Sequence, residues 1–550
     1  MKVLGINAIF HDPAAALVVD GRVVAAAEEE RFSRRKHGKR PVPFSAWEQP
    51  DLSAAWCLSA AGLDAGDLDA VAFSFDPDLC REASELGLED PWDWLRQEYA
   101  RRAPRFLAEA LPGLDPGAVR FVPHHVAHAA SAALAAPRAT RSTGAAVLVL
   151  DGRGEAASHL SGVYRDDHLE VLAAQRLPHS LGLLYEGLTR HLGFLHSSDE
   201  YKVMALASYG RPVHLDEFRE LVRATPDGGF TVAPVDWARF AKARPADGEL
   251  TGGHADLASS VQIRLEEVIG ELAGWLHEAA DGPDTLTLAG GVALNCVANA
   301  RLAATGPFRQ VWVQPAAGDA GTALGAALHV ATTGGERVEA MPGAALGRGF
   351  SDADLQGELE RAAIPYSRPA SIAATAAEVL AAGGMVAWFQ GRSEYGPRAL
   401  GHRSLLAHPG ERRITARLND VKGREQFRPV APMVRAERAA EIFDGVLPSP
   451  YMLFVHGVRP EWRDRIPAVV HVDGTARIQT VDPADEPLVA ELLAEFDRRT
   501  GLPVVVNTSL NTAGRPIVDT PREALELFGS APIDLLAIGP FAVHRAAVNR

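Results

Sequence analysis

Residues 14–30 read AAALVVDGRVVAAAEEE: two apolar runs meeting at Asp20-Gly21, a pair that favours the tight turn of a β-hairpin. Just ahead, KVLGIN (2–7) is a short apolar strand. The pattern returns three times. GAAVLVLDGRGEAASHLSGVYRDDHLEVLAAQR (144–176) is a buried strand, a glycine turn after Asp151, then more strands. DTLTLAGGVALNCVANARL (284–302) is a strand, a Gly290-Gly291 turn and a helix, and QVWVQPAAGDAGTALGAALHVA (310–331) is a strand, a loop with Asp319 and a helix of small residues. Strand, glycine turn, then strand or helix, with acids at the turns, predicts a duplicated α/β fold whose strand ends line a central cleft. No sharp repeat of the solenoid kind is present.

With 550 residues the chain exceeds what one hydrophobic core organises, so two domains are expected. GAALGRGFSDADLQ (343–356) reads as a connector, and the expected boundary lies at about residue 355, giving domains 1–355 and 356–550. The net charge of −15 argues against nucleic acid as the main partner, because phosphate backbones need a basic surface. Cys57, Cys80 and Cys296 lie far apart and form no Cys-x-x-Cys pair, which excludes a disulfide framework and a cysteine-rich zinc site. The first residues lack the features of a secretory signal, and no apolar run reaches the roughly 20 residues of a membrane span. The expected location is the cytoplasm, away from membranes.

PHHVAHAASA (123–132) places His124 and His128 four apart, on one face of a helix, where two imidazoles can reach one metal ion. Asp151 and Asp319, each after an apolar strand, offer carboxylates, and such a mixed set suits Fe(II), Mn or Zn better than Ca or Mg. A solvated or capping histidine cluster explains the spacing equally well; His125 points elsewhere and is read as a neighbour. His11, in the loop before the hairpin, is placed to act as a general base, although loop histidines without a role are more common. The Gly290-Gly291 turn and Asn295 would let backbone approach a ligand. Lys202, in SSDEYKVMALASYG (197–210), is consistent with a nucleotide pocket.

Beyond residue 355 arginine becomes dense. Arg392, Arg398, Arg403, Lys422, Arg424 and Arg428 are interleaved with glycine, proline and apolar residues rather than strung along a polar helix. Guanidinium groups match phosphate oxygens in pairs, and Asn507 and Ser509 end a buried strand in VVVNTSLN, so a phosphate site is favoured over a solvated basic face.

These motifs together resemble the O-carbamoyltransferases of antibiotic tailoring and nodulation-factor synthesis. The likeness runs through VLGINAIFHDPAAALVVDG (3–21), EEERFSRRKHG (28–38), HHVAHAASA (124–132), VLDGRGE (149–155), SLGLLYEGLT (180–189), AGGVALN (289–295), GRSEYGPRALGHRSLL (391–406), VKGREQFRPVAP (421–432) and VVVNTSLNTAGRPIV (504–518), in the family's order. The resemblance implies an N-terminal domain of the actin-like ATPase superfold, akin to tRNA threonylcarbamoyl transferases, and a C-terminal YrdC-like domain. It further implies that the YrdC-like domain converts carbamoyl phosphate and ATP, with Mg, to carbamoyladenylate, and that the N-terminal domain passes the carbamoyl group to a hydroxyl of a sugar or polyketide. By motif position Arg398, Arg403, Lys422, Arg428, Asn507 and Ser509 match the carbamoyl phosphate/ATP site. His124, His128, Asp151 and Asp319 match the iron ligands, and His11 the transfer histidine. Lys202, Gly290, Gly291 and Asn295 match the adenylate site. The stretch between Tyr209 and Ala255 is shorter than in the aminoglycoside enzymes, so acceptor identity does not carry over. Oligomeric state stays open, a homodimer included.

Four rivals are weaker. A hydrogenase-maturation carbamoyltransferase needs Cys-x-x-Cys pairs and the opposite module order. A tRNA-modifying enzyme favours a basic surface. A small-molecule kinase needs hydroxyl residues in a phosphate loop after the first strand, where INAIFHDPAAA (6–16) offers a histidine. A non-catalytic binding protein leaves two sets of polar site residues without a purpose.

Overall fold

The structure is a computed structural model describing residues 1–37, 49–141 and 144–548. Gly38, the last residue of the block at 28–38, lies outside the described residues. The chain divides into two compact units, Met1–Pro342 and Gly343–Arg550. Residues 343–355, expected in the first domain, pack with the second. Leu355 joins its core, the Gly347 N–H donates to the Ser393 carbonyl at 2.9 Å, and Arg348 pairs with Asp519. The change in composition comes later along the chain than the change in contacts.

In the first unit one sheet contains β1 (Lys2–Asn7), β2 (Ala14–Val19), β3 (Arg22–Glu28), β4 (Ala70–Phe73) and β5 (Val119–Phe121), in the order β3-β2-β1-β4-β5. The first three strands form an antiparallel meander, and β4 and β5 run parallel to β1. Asp20 and Gly21 both adopt positive φ, 50° and 75°, the conformation of the mirror-image turn that matches strand twist. After β5 comes helix α1 (His124–Ala133). The second sheet repeats the plan. It contains β6 (Ala145–Leu150), β7 (Ala157–Arg165), β8 (His168–Arg176), β9 (Thr285–Ala289) and β10 (Gln310–Val313), in the order β10-β9-β6-β7-β8, followed by helix α2 (Ala320–Thr333). Again three strands meander and two run parallel to the first. This doubled strand order is the plan of the actin-like superfold, read from connectivity alone.

The two halves exchange helices: α1 packs on β6, β7 and β9, α2 packs on β1, β2 and β4, and the helices pack on each other. Small residues make this possible. A Cβ at Gly325 of α2 would stand 1.8 Å from the Ala127 carbonyl oxygen, and one at Gly5 of β1 1.8 Å from that of Ala323. Only hydrogen fits at either place.

The second unit is built on a mixed sheet of β11 (Val386–Phe389), β12 (Arg403–Ala407), β13 (Ala431–Arg435), β14 (Gln479–Val481), β15 (Val504–Ser509), β16 (Leu535–Ile538) and β17 (Phe541–His544), in the order β14-β13-β15-β12-β11-β16-β17. Its strands are buried along most of their length, and their core includes Trp388, Phe389, Phe496 and Phe528. Helix α3 (Arg413–Lys422) closes on Gly423, whose φ of 57° supplies the left-handed cap. No helix among the described residues is long and apolar enough to cross a membrane.

Candidate functional site

In the first unit α1 and α2 hold equivalent places in the two halves, each following a fifth strand, and their N-termini bear the polar residues. His124 and His128 project from the first turns of α1 with ring centroids 4.7 Å apart, and both are fully buried. That excludes the solvated cluster. Asp319 occupies the N-cap position of α2, and Asp151 follows β6. From His124 Nε2, Asp151 Oδ2 is 3.5 Å away and Asp319 Oδ1 3.6 Å; from His128 Nε2 the same oxygens are at 3.9 and 3.6 Å. One donor atom from each of the four lies within 4.8 Å of the others.

These residues fit a metal ion. Four N/O donors bound at 2.0–2.2 Å around one tetrahedral centre stand about 3.3–3.6 Å apart, close to the separations found here. His124 Nε2, His128 Nε2 and Asp319 Oδ1 are buried without a hydrogen-bond partner, an arrangement that is costly unless something binds them. The neighbours aim the set. His124 Nδ1 hydrogen-bonds the Ser74 carbonyl at 3.1 Å, leaving Nε2 toward the acids. Burial alone would raise the carboxyl of Asp151, but the charges of His124 and His128 hold it down at about 2; Asp319 is held well below the usual carboxylate range against the same burial, by His11, His124 and His128. His125 is lowered to about 3 by burial and by His124, so it stays neutral and sits beside Gly154.

Two flanking features were not anticipated. Glu155 Oε1 accepts the His124 N–H at 2.8 Å and the Asp76 N–H at 2.9 Å, capping α1 from another segment. Gly290, with φ 92°, brings its backbone against Leu150, and the Gly291 N–H donates to Asp151 Oδ1 at 2.9 Å. The glycine turn thus supports Asp151. Asn295 likewise is engaged: its side chain accepts from the Ala298 N–H as an N-cap and bonds Gln262. Lys202 pairs with Asp199 at 3.1 Å and lies over the Phe194 ring.

His11 stands at the rim, its side chain about a third exposed, with Nε2 3.7 Å from Asp319 Oδ2. Burial pulls its pKa down, but Asp319 and Asp12 outweigh this and raise it to about 10. Of these two acids Asp319 is also a residue that would hold a cation, and a cation there would offset its pull on His11 and favour an Nε2 free to accept a proton.

In the second unit the arginine-rich loop is pinned at its base. Glu394 Oε1 accepts the N–H groups of Leu400, His402 and Arg403 at 2.7, 3.0 and 3.2 Å. Burial would raise this carboxyl, but His402 and the Leu400 N–H bring it below the usual range. Asn507 donates to the Ala399 carbonyl at 3.1 Å, which anchors the residue after Arg398, and its own Oδ1 is buried without a partner. Asn507 and Ser509 share a face of β15, two residues apart. Lys422, at the end of α3, reaches Ser509 Oγ at 3.0 Å and Asn511 Oδ1 at 2.6 Å, so Lys422 and Ser509 are brought together and Asn511 joins them. Arg428 lies on the loop that Asn419 of α3 ties down through the Arg428 carbonyl at 3.1 Å. Arg403, expected with the phosphate-site residues, is already engaged by the protein. It is fully buried, its guanidinium stacks 3.8 Å over Phe389, and it donates to the carbonyls of Gln390, His402, Arg348 and Gly391. A cation so placed organises carbonyls of the loop.

The family model described as Carbamoyltransferase N-terminus matches residues 2–116 and 107–328, and Carbamoyltransferase C-terminus matches 377–545. An uncharacterised protein of Synechocystis sp. is 37% identical over 99% of this chain and 97% of its own length. Nodulation protein NolNO of Sinorhizobium fredii is 37% identical over 99% of this chain and 80% of that protein. Nodulation protein U of Rhizobium tropici is 31% identical over 94% and 92%. The HypF structure of T. kodakarensis covers 60% of this chain and 48% of that one at 16% identity and a TM-score of 0.34, too distant to argue from. With both halves matched by their family models and relatives aligned nearly end to end, the chain belongs to the carbamoyltransferase family and is an enzyme that transfers carbamoyl groups.

Proposed function

We propose that the chain is an ATP-dependent O-carbamoyltransferase acting on a hydroxylated small molecule of natural-product type, a sugar or polyketide. The observation that carries this reading is the buried His124, His128, Asp151 and Asp319 set with His11 at its rim, in a carbamoyltransferase. An alcohol is a weak nucleophile and a carbamate a weak electrophile, so the acyl group needs activation. In the second unit, read as YrdC-like, water hydrolyses carbamoyl phosphate, breaking the bond between the carbamoyl group and phosphate and giving carbamate and inorganic phosphate. A carbamate oxygen then attacks the α-phosphorus of ATP, brought in with Mg, and pyrophosphate leaves. Arg398, Lys422 and Arg428 are the residues we assign to the phosphates, with Asn507 and Ser509 beside them.

In the first unit the acceptor oxygen attacks the carbamoyl carbon of the adenylate, AMP departs, and the hydroxyl proton passes to His11 Nε2. A divalent transition ion such as Fe(II), when held by His124, His128, Asp151 and Asp319, supplies a fixed positive charge against the negative charge of the adenylate and the departing AMP. All three cysteines are free thiols, which suits a reducing compartment, and the cytoplasm is the place we assign to the reaction.

Incubation of the full chain with ATP and carbamoyl phosphate should release pyrophosphate only when both are present. Hydroxylated scaffolds should then gain one carbamoyl group by mass. His11→Asn should keep pyrophosphate release and stop transfer. Pyrophosphate release indifferent to carbamoyl phosphate, or an acceptor that gains phosphate instead, would overturn the reading.

A further inference from the structure

We propose that Asp12 is the positioning residue for His11, and that His37 and Ser198 hold Asp12 in place from two other segments. The inference rests on the transfer role given to His11 above. His11 Nδ1 hydrogen-bonds Asp12 Oδ2 at 2.9 Å, Asp12 Oδ1 bonds His37 Nδ1 at 2.9 Å, and His37 Nε2 bonds Ser198 Oγ at 3.0 Å. An unbraced imidazole rotates and exchanges tautomers. A carboxylate on Nδ1 fixes the ring plane, keeps the proton on that nitrogen and turns Nε2 outward as the atom that receives a proton.

The brace is itself built in. Asp12 has a φ of 50°, uncommon outside glycine, and is kept there by two backbone bonds: its N–H donates to the His37 carbonyl at 3.1 Å and its carbonyl accepts from Asn7 Nδ2 at 2.9 Å. Asn7 Nδ2 also donates to the His11 carbonyl at 3.0 Å, and the His37 N–H donates to Glu30 Oε2 at 2.8 Å. The loop after β1 and the segment after β3 therefore meet at one carboxylate, and the turn at Ser198 holds His37 from its other side. Asp12, Glu30 and His37 lie close enough for an ion, but these bonds already join them to one another, so the cluster is read as a support.

The test uses the full chain with ATP, carbamoyl phosphate and an acceptor it carbamoylates. Asp12→Asn keeps the shape and removes the charge. It should lower kcat for transfer by about 100-fold while carbamoyl-phosphate-dependent pyrophosphate release, the acceptor KM and metal content hold. Asp12→Glu should recover part of the loss, and His37→Gln should cost about tenfold, as supporting groups behind an active residue do. Transfer at the wild-type rate in a folded Asp12→Asn variant, or a parallel fall in pyrophosphate release, would overturn the inference. If Asp12→Asn does not fold, His37→Gln decides by the same two readings. A wild-type chain that forms no carbamoyl product overturns the functional reading itself, an outcome distinct from a wild type that transfers and an Asp12→Asn variant that does so equally well.

Discussion

Asp319 shows how far one side chain can be committed. It faces His11, His124 and His128, and its Oδ1 is buried without a partner. Asp319→Asn removes a charged ligand and should weaken divalent-ion binding by more than the 10- to 100-fold typical of a supporting residue. Elemental analysis after dialysis, with wild type alongside, reads the result. Glu29 offers a second test at this scale. Its carboxylate accepts the N–H groups of Leu52 and Ser53, at 3.2 and 2.8 Å, capping the helix Asp51–Ala60 from a distance. Burial lifts its pKa to about 7, against an ordinary value of 4.5, and the two N–H bonds only partly oppose this. The fold thus binds a proton that the unfolded chain releases between those values. This contribution is complete below pH 4.5 and is lost as pH rises through 7, on the order of 3 kcal/mol across the window. Glu29→Gln keeps an acceptor for the helix and should flatten the decline in melting temperature between pH 4.5 and 7.5.

The pair α1 and α2 sets the distance between the histidines and Asp319. Their contact depends on Gly325, where a side chain would collide with the Ala127 carbonyl oxygen and crowd the Ser131 N–H at 2.7 Å. Gly325→Val should destabilise the unit by about 1–3 kcal/mol through overpacking. It should also weaken metal binding in whatever fraction folds, because His128 stands one residue beyond Ala127. Denaturant melts and a metal titration measure the two effects separately. The strands and the first hairpin of this unit were legible in the sequence because their signals are local: apolar runs give strands, and Asp20-Gly21, both at positive φ, give a tight turn. Glu155, Glu394 and Asn511 were not legible. Each bonds groups brought near by folding, and such partnerships leave no period in the sequence.

Each of the two units has its own buried core, that of Leu4, Phe73 and Tyr99 in the first and that of Trp388 and Phe496 in the second. Ligands of one unit should stabilise that unit. At a free concentration 100 times its dissociation constant, a divalent ion is worth about 2.7 kcal/mol to the state that binds it. Differential scanning calorimetry with and without a chelator should therefore move a transition belonging to residues 1–342 and leave that of 343–550 in place. A shift of the second transition alone would put the ion elsewhere.

By itself the sequence determined the alternation of strands, glycine turns and helices, the pairing of His124 with His128 on one helical face, and the ordered blocks that mark the family. These follow from local backbone preference and from motif order, both readable along the chain. Only the tertiary structure decided that Asp151 and Asp319 reach those histidines. They do so because the fold is doubled, with the helices that begin at His124 and Ala320 packed against each other. It also decided which polar groups are tied into the scaffold, as the Arg403 guanidinium, the Gly291 N–H and the Asn295 side chain are. A hydrogen bond is assigned by distance in space, and the partners of these groups are remote in sequence.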